Sequence, residues 1–278
     1  LSSDCSPHLM IQVIPVINNK GGVGKTTTCV NLAGGLAERG NKVLLVDLDS
    51  QGSASLALGV DHGDLRPSVA DALFDTALLA DVIRTTYRDR LDLVTGSLDL
   101  ANADVQLKRD KRSAWQLKSL IDEVRDDYDV ILVDCAPSTS TLTVNALVAA
   151  DAFIIPLNLS YLALEGVVSL GDVVRRVRQG VGEAAPVLGL VVTMFESDSE
   201  EKKDIMDDLR SHYGGKVFNT YVRRDASLEK APAHSQDIFA YAPDSTGAKD
   251  YAALVDEVES RIERYSAIYE QLSNRTTL

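Results

Sequence analysis

One stretch near the start of the chain, Asn19-Lys20-Gly21-Gly22-Val23-Gly24-Lys25-Thr26-Thr27, restricts the possible folds more than any other. Residues 11–17 form an apolar run that predicts a buried strand directly before it. Residues 27–39 are rich in helix formers and predict a helix directly after it. Loops that bind phosphate groups require a strand, a glycine-rich turn and a helix in this order. The sequence therefore predicts an α/β nucleotide-binding protein; a glycine-rich turn that binds nothing is the alternative.

The residue types in this loop suit a triphosphate and its metal ion. Glycines leave backbone N–H groups free to converge on anionic oxygens, and the start of the helix adds its positive dipole end. We expect Lys25 to contact the β- and γ-phosphates and the Thr26 hydroxyl to bind Mg²⁺.

Apolar runs alternate with segments of helix length along the rest of the chain. Further strands are predicted at residues 42–47, 91–94, 129–134, 152–157, 187–193 and 216–221, with helices at 98–109, 112–125 and 247–272. Residues 61–91 are expected to be irregular apart from short helical pieces at 68–74 and 78–83. This alternation predicts a doubly wound, mainly parallel sheet flanked by helices, with ligands at the carboxyl ends of the strands.

The last helix carries apolar residues with helical spacing, which predicts that it packs against the sheet: Tyr251, Leu254, Val255, Val258 and Ile262. No repeat or linker divides the chain. We expect a single domain over residues 10–278, preceded at 1–9 by an added remnant or a short natural extension, with Met10 as the native start.

Composition excludes some functions. No apolar run approaches the length of a membrane span, although 45% of the 278 residues are hydrophobic. A net charge of −13 argues against a protein coated in basic charge for nucleic acid, and it suits a basic peptide as partner. The three cysteines fit no disulfide or zinc spacing, which indicates a reducing compartment.

The loop departs from the plain phosphate-binding motif because Lys20 adds a second lysine ahead of Gly21. In this form, Lys-Gly-Gly-Val-Gly-Lys-Thr-Thr resembles the deviant Walker A motif of the ParA/MinD group of P-loop ATPases. The resemblance implies ATP and Mg²⁺ as cofactors, and an ATP-closed homodimer in which Lys20 of each subunit reaches the phosphates bound by the other. The implied phosphate-binding residues are Lys20, Gly21, Gly22, Val23, Gly24, Lys25, Thr26 and Thr27.

Three aspartates follow predicted strands and match the other nucleotide motifs of that group. Asp134 resembles the Walker B carboxylate, so with Thr26 and Asp47 it is a candidate for the metal site, and Asp49 is expected to support hydrolysis. The sequence departs from the family at Ser50 and Ala136, where proline is usual. Alternatively these aspartates only cap loops, and Asp47 in particular suits a structural role.

The resemblance extends to the base and to the dimer face. It implies that Met194, Val222, Arg223 and Asp225 approach the adenine, and that residues 160–166 contribute to the dimer interface. Both segments could equally be ordinary core and loop.

The chain departs from the family most where ParA proteins touch nonspecific DNA. Asp198 and Ser227 stand where chromosomal ParA proteins carry arginines. Arg223, Arg224 and Lys230 are the remaining candidates, so weak and salt-sensitive DNA binding is expected. Such a cluster is also typical of a merely solvated face.

The expected function is that of a ParA-like ATPase, whose slow hydrolysis is stimulated by a ParB-type adaptor with a basic segment. It would segregate a plasmid or chromosome in the cytoplasm, associated with the nucleoid when ATP is bound. One alternative is positioning of a protein cargo, such as a chemoreceptor array or a microcompartment. A MinD-type membrane switch would need a basic amphipathic C-terminal helix, but residues 264–278 carry only Arg264 and Arg275 as cations. A metabolic P-loop ligase or kinase would need an acceptor pocket.

Overall fold

A computed structural model describes residues 11–107, 113–159, 161–182, 184–196 and 200–276. Eight strands form one sheet in the order β3-β4-β2-β5-β1-β6-β7-β8. They are β1 Val13–Val16, β2 Val43–Leu48, β3 Ile83–Thr85, β4 Leu91–Val94, β5 Val130–Cys135, β6 Phe153–Asn158, β7 Val187–Phe195 and β8 Val217–Arg223. Every neighbouring pair is parallel except β3 with β4, which confirms the doubly wound, mainly parallel fold.

Helices cover both faces of this sheet. They are α1 Lys25–Glu38, α2 Ser53–Ala57, α3 Val69–Leu73, α4 Leu79–Val82, α5 Ala103–Gln106, α6 Gln116–Asp122, α7 Thr141–Ala149, α8 Tyr161–Val181, α9 Glu200–Tyr213, α10 Ala226–Lys230, α11 Ile238–Tyr241 and α12 Thr246–Thr276. Helices α1 and α12 pack in the core on one face, whereas α7, α8 and α9 pack in the core on the other. The predicted stripe on α12, from Tyr251 to Ile262, is buried in the first of these cores.

Three sequence predictions need correction. Strand β3 lies in the stretch predicted to be irregular; it is three residues long, partly exposed and antiparallel at the sheet edge, so it carries no buried-strand pattern. The helix predicted at 98–109 is broken into a 3-10 turn, Leu98–Asn102, followed by α5. The helix predicted at 112–125 is shorter, since α6 spans only Gln116–Asp122; residue 112, like residues 1–9 and Met10, lies outside the described part of the chain.

Strand β8 forms one edge of the sheet, and side chains of α12 cover its open side. Glu257 accepts hydrogen bonds from the backbone N–H groups of Asn219 and Thr220, each at 2.9 Å. Asp250 accepts one from the N–H of Arg223 at 2.9 Å. These carboxylates therefore pair with three backbone donors of the edge strand, as a ninth strand would.

Close packing of α1 depends on two adjacent glycines. A Cβ on Gly34 would lie 2.8 Å from the carboxyl carbon of Asp237, and one on Gly35 would lie 2.7 Å from a methyl group of Val255. Helix α1 therefore packs closely against α11 and α12, and a residue larger than glycine at position 34 or 35 would not fit. Within the described residues, no helix is both long enough and apolar enough to cross a membrane.

Candidate functional site

The glycine-rich loop joins β1 to α1 at the carboxyl edge of the sheet, as the sequence predicts. Gly22 and Gly24 have φ angles of 70° and 77°, a left-handed conformation that glycine adopts without strain. A Cβ at Gly21 or Gly22 would meet no described atom within 4 Å, so one side of the loop is open. Open backbone ahead of a helix N-terminus is the geometry that binds phosphate oxygens.

Lys25 lies at the mouth of this loop and is largely buried. Its Nζ donates a 2.7 Å hydrogen bond to the carbonyl oxygen of Lys20, which joins the two ends of the loop. Burial lowers the pKa of Lys25, and the nearby carboxylates of Asp134 and Asp49 oppose this shift. A poorly solvated ammonium group gains most from an anion, which suits a phosphate ligand. The side chain of Lys20 itself is partly exposed.

Thr26, at the start of α1, contacts Asp134, near the end of β5. The Thr26 hydroxyl donates a 2.7 Å hydrogen bond to Asp134 Oδ2, whereas the buried Oδ1 has no partner among the described residues. Asp134 also pairs in register with Asp47 of the neighbouring strand, and neither carboxylate is exposed. Burial, and then the negative charge of Asp47, raise the pKa of Asp134 well above its usual range.

These features fit a Mg²⁺ ion. The described residues contain no group of three or more His, Cys, Asp or Glu side chains that could hold a metal by themselves. A hydroxyl and an unsatisfied carboxylate oxygen beside a phosphate-binding loop suit Mg²⁺, which takes few protein ligands and completes its shell with phosphates and water.

Asp47 is more strongly tied into the protein than its neighbours. Its Oδ2 accepts hydrogen bonds from the N–H and the hydroxyl of Ser55 at 2.8 and 2.7 Å, and its Oδ1 accepts one from the N–H of Asp49 at 3.2 Å. These contacts suit a structural role, in which Asp47 holds α2 against the end of β2. A role for Asp47 as a metal ligand remains a prediction. Asp49 is only partly buried, and its Oδ1 accepts a hydrogen bond from the N–H of Gln51.

Comparison with known proteins places the site in a family. The AAA domain family model matches residues 11–184. The sporulation initiation inhibitor protein Soj of Bacillus subtilis (strain 168) is 37% identical over 249 residues, which cover 90% of this chain and 98% of that protein. The chromosome-partitioning ATPase Soj of Treponema pallidum (strain Nichols) is 38% identical over 252 residues, covering 91% and 98%. The chain belongs to the Soj/ParA family of P-loop ATPases.

A solved structure with a different name shares this fold. Cobyrinic acid a,c-diamide synthase from Mycobacterium smegmatis, with bound ADP and magnesium, superposes with a TM-score of 0.77 at 30% identity. The match covers 88% of this chain and 93% of that protein.

The four residues predicted to approach the adenine line one pocket beside the phosphate-binding loop. Met194, Val222, Arg223 and Asp225 share it with Gly24, Thr27, Thr193, Arg224, Leu228, Glu229 and Tyr251. Met194 has a positive φ of 53°, which is costly for a residue with a side chain, and it is 45% exposed. The pocket continues directly from the phosphate-binding loop, as a base-binding site requires.

The cations that the sequence offers for DNA are mostly engaged by carboxylates. Arg223 forms an ion pair with Asp250, and Arg224 lies 3.3 Å from Glu196 and 3.8 Å from Glu229. Lys230 is exposed at the end of α10, and Ser227 lies in the first turn of the same helix. Asp198 and the side chains of residues 160–166 lie outside the described part of the chain.

Sequence reasoning missed several residues that shape the site. Ser55 anchors Asp47, and Gly96 allows close approach, since a Cβ there would lie 2.5 Å from the carbonyl oxygen of Asp49. Asn19 donates a 3.0 Å hydrogen bond to Ser169 of α8, a contact across 150 positions. Because each partner is remote in sequence, no local pattern signals these contacts.

Proposed function

We propose that this chain is a ParA-like partitioning ATPase that binds ATP and Mg²⁺, dimerises in the ATP state and hydrolyses ATP slowly until a partner stimulates it. The observation that carries the proposal is the loop in which Lys20 and Lys25 stand on either side of three glycines and a valine, at the carboxyl edge of a parallel sheet. The names of relatives, including a chromosome-partitioning ATPase, support the cellular task.

The residues of the loop divide the work of phosphoryl transfer. The backbone N–H groups of the loop cradle the phosphates, and Lys25 exchanges its bond to the Lys20 carbonyl for the β- and γ-phosphate oxygens. Thr26 and Asp134 hold Mg²⁺, which when bound offsets negative charge on the β- and γ-phosphates. Asp49, at the end of β2 and partly open to solvent, orients the attacking water.

Lys20 supplies the link between catalysis and assembly. It sits at the open side of the loop, where its own side chain is partly exposed rather than packed in the core. In the proposed dimer it reaches the phosphates bound by the second copy. Two cations near one triphosphate stabilise charge that a single lysine leaves uncompensated.

The proposed partners follow from charge. A net charge of −13 per chain favours an adaptor of the ParB type that presents a basic segment. Nonspecific DNA is bound weakly, because the arginines beside the base pocket already face carboxylates. The protein then acts in the cytoplasm and associates with the nucleoid only in its ATP state.

The proposal is tested by the oligomeric state with and without Mg-ATP, measured by size exclusion with light scattering. We expect a dimer only with ATP in the natural chain. Lys20→Ala is expected to bind ATP but stay monomeric, because Lys25 and the loop amides are intact; Lys25→Ala is expected to bind ATP poorly. Lys216→Ala, which removes an exposed lysine from another region, is the matched control and should dimerise normally. Normal dimerisation of Lys20→Ala would show that the ATP dimer does not depend on Lys20. A natural chain that stays monomeric with Mg-ATP would point instead to a monomeric P-loop enzyme.

The structural match to a protein named cobyrinic acid a,c-diamide synthase supports a second candidate, a metabolic synthase. Such an enzyme would hydrolyse ATP only with an acceptor molecule. Stimulation of ATPase activity by a corrinoid acid, but not by an adaptor protein or DNA, would favour this candidate.

A further inference from the structure

The start of α12 makes two contacts at the proposed base pocket. Tyr251 lines the pocket, and its hydroxyl lies 3.2 Å from the hydroxyl of Thr28 in α1. The N–H of Gly247 donates a 2.8 Å hydrogen bond to Asp225, which also lines the pocket. This first part of α12 therefore joins the phosphate-binding element to the loop that follows β8.

Asp250 makes the densest set of contacts in this region. Its carboxylate accepts a hydrogen bond from the backbone N–H of Arg223 at 2.9 Å and from Arg223 Nε at 3.0 Å, and it is also paired with the terminal NH2 group. Asp250 is only 8% exposed, whereas the Arg223 side chain is 49% exposed at the pocket. A buried carboxylate thus fixes both the backbone and the guanidinium group of a residue on the pocket wall.

We propose that Asp250 is a positioning residue for the nucleotide base. It holds Val222, Arg223 and Asp225 as a rigid wall of the base pocket and does not itself touch the phosphates. The proposal rests on the nucleotide site described under the proposed function. It implies that Asp250 matters for the base-dependent part of the affinity and leaves the phosphate-dependent part unchanged.

The chain contains a matched control for this role. Glu257 lies two turns further along α12 and accepts backbone hydrogen bonds from Asn219 and Thr220 of the same strand. It covers the edge of β8 as Asp250 does, but it lines a different pocket, away from the loop. If Asp250 only stabilises the edge of β8, substitution of Glu257 should have the same effect on nucleotide binding as substitution of Asp250.

The experiment compares the affinity for Mg-ATP with that for magnesium tripolyphosphate, which has no base, by titration calorimetry. Asp250→Ala is expected to weaken Mg-ATP binding about tenfold, the size expected for losing a hydrogen bond to a charged group, with tripolyphosphate binding unchanged. Glu257→Ala is expected to leave the ratio of the two affinities unchanged. Asp250→Asn, which can still accept from the Arg223 N–H, is expected to fall between the natural chain and Asp250→Ala, and it serves as the test if the alanine variant does not fold.

Three results would overturn the positioning role: unchanged Mg-ATP affinity in both Asp250 variants, equal losses for the two ligands, or an equal loss of the affinity ratio in Glu257→Ala. If the natural chain binds neither ligand, the nucleotide site itself is wrong, and that failure is distinct from the other three.

Discussion

The hydroxyl of Thr26 donates a 2.7 Å hydrogen bond to Asp134, a residue 108 positions further along the chain. It joins the phosphate-binding loop to the end of β5, where Asp134 lies beside Asp47 of β2. Without a cation, two buried carboxylates stand side by side, and burial opposes the charged form of each. The site is therefore built to favour a divalent ion.

This arrangement predicts a pH dependence of stability in the absence of Mg²⁺. Burial is the main cause that raises the pKa of Asp47 from 3.8 to about 6, so the folded state holds this proton more tightly than the unfolded chain does. The contribution of Asp47 to the free energy of unfolding therefore falls as the pH rises from about 4 to about 6. Thermal unfolding between about pH 4 and about pH 7 should show a flatter profile for Asp47→Asn than for the natural chain. Parallel profiles would contradict the buried, proton-binding carboxylate.

Asp49→Ala is expected to bind ATP and accumulate as a dimer, because it removes the proposed water-orienting group and leaves the phosphate cradle intact. A single-turnover hydrolysis assay, together with the oligomeric state in Mg-ATP, tests this. Asp99→Ala, which removes an exposed carboxylate that pairs with Arg66, is the control. Hydrolysis by Asp49→Ala at the natural rate would remove this residue from the mechanism.

Two glycine substitutions should shift stability in opposite directions. Gly34→Ala places a methyl group 2.8 Å from the carboxyl carbon of buried Asp237, so we expect a loss of about 1–3 kcal/mol in the free energy of unfolding from overpacking. Gly171→Ala lies inside α8 with no described atom within 4 Å of the new methyl group, so better helix propensity should stabilise the protein by about 0.5–1 kcal/mol. Denaturant unfolding of both variants measures the difference. A neutral Gly34→Ala would mean that α1 and α11 can separate at little cost.

Binding of the ATP-state protein to random duplex DNA should be weak and unusually salt-sensitive. Arg224 is 62% exposed and shared between Glu196 and Glu229, so phosphate must compete with two carboxylates for it. Arg224→Glu should reduce the binding and lower the slope of log affinity against log salt by about 0.9 for each DNA phosphate that the variant no longer neutralises. Arg223 is unsuitable for this test because it is paired with Asp250 in the wall of the proposed base pocket.

Glu196→Gln should act in the opposite direction and strengthen DNA binding, because it removes a carboxylate that pairs with Arg224 and Lys202. Glu38→Gln makes the same change in net charge at the end of α1 and is the control. DNA binding that survives Arg224→Glu would place the DNA surface elsewhere. No binding even at low salt would favour a protein matrix.

Local sequence patterns were sufficient for most of the sheet. The buried strands are short, nearly continuous apolar runs, since both of their faces are covered, and each is visible without knowledge of its neighbours. The edge strand β3 and the broken segment around Leu98–Asn102 carry no such pattern, because their conformations depend on the elements beside them.

The sequence by itself determined the phosphate-binding loop, since strand, glycines, Lys25 and Thr26 are neighbours in the chain and act through local backbone geometry. Only the tertiary structure decided which side chains meet at long range. It brings Asp134 to Thr26, ties Asp47 to Ser55 and places Asp250 against Arg223. It also shows that the arginines expected to face DNA already face carboxylates. These contacts depend on how separate elements pack, so the sequence of any one segment does not predict them.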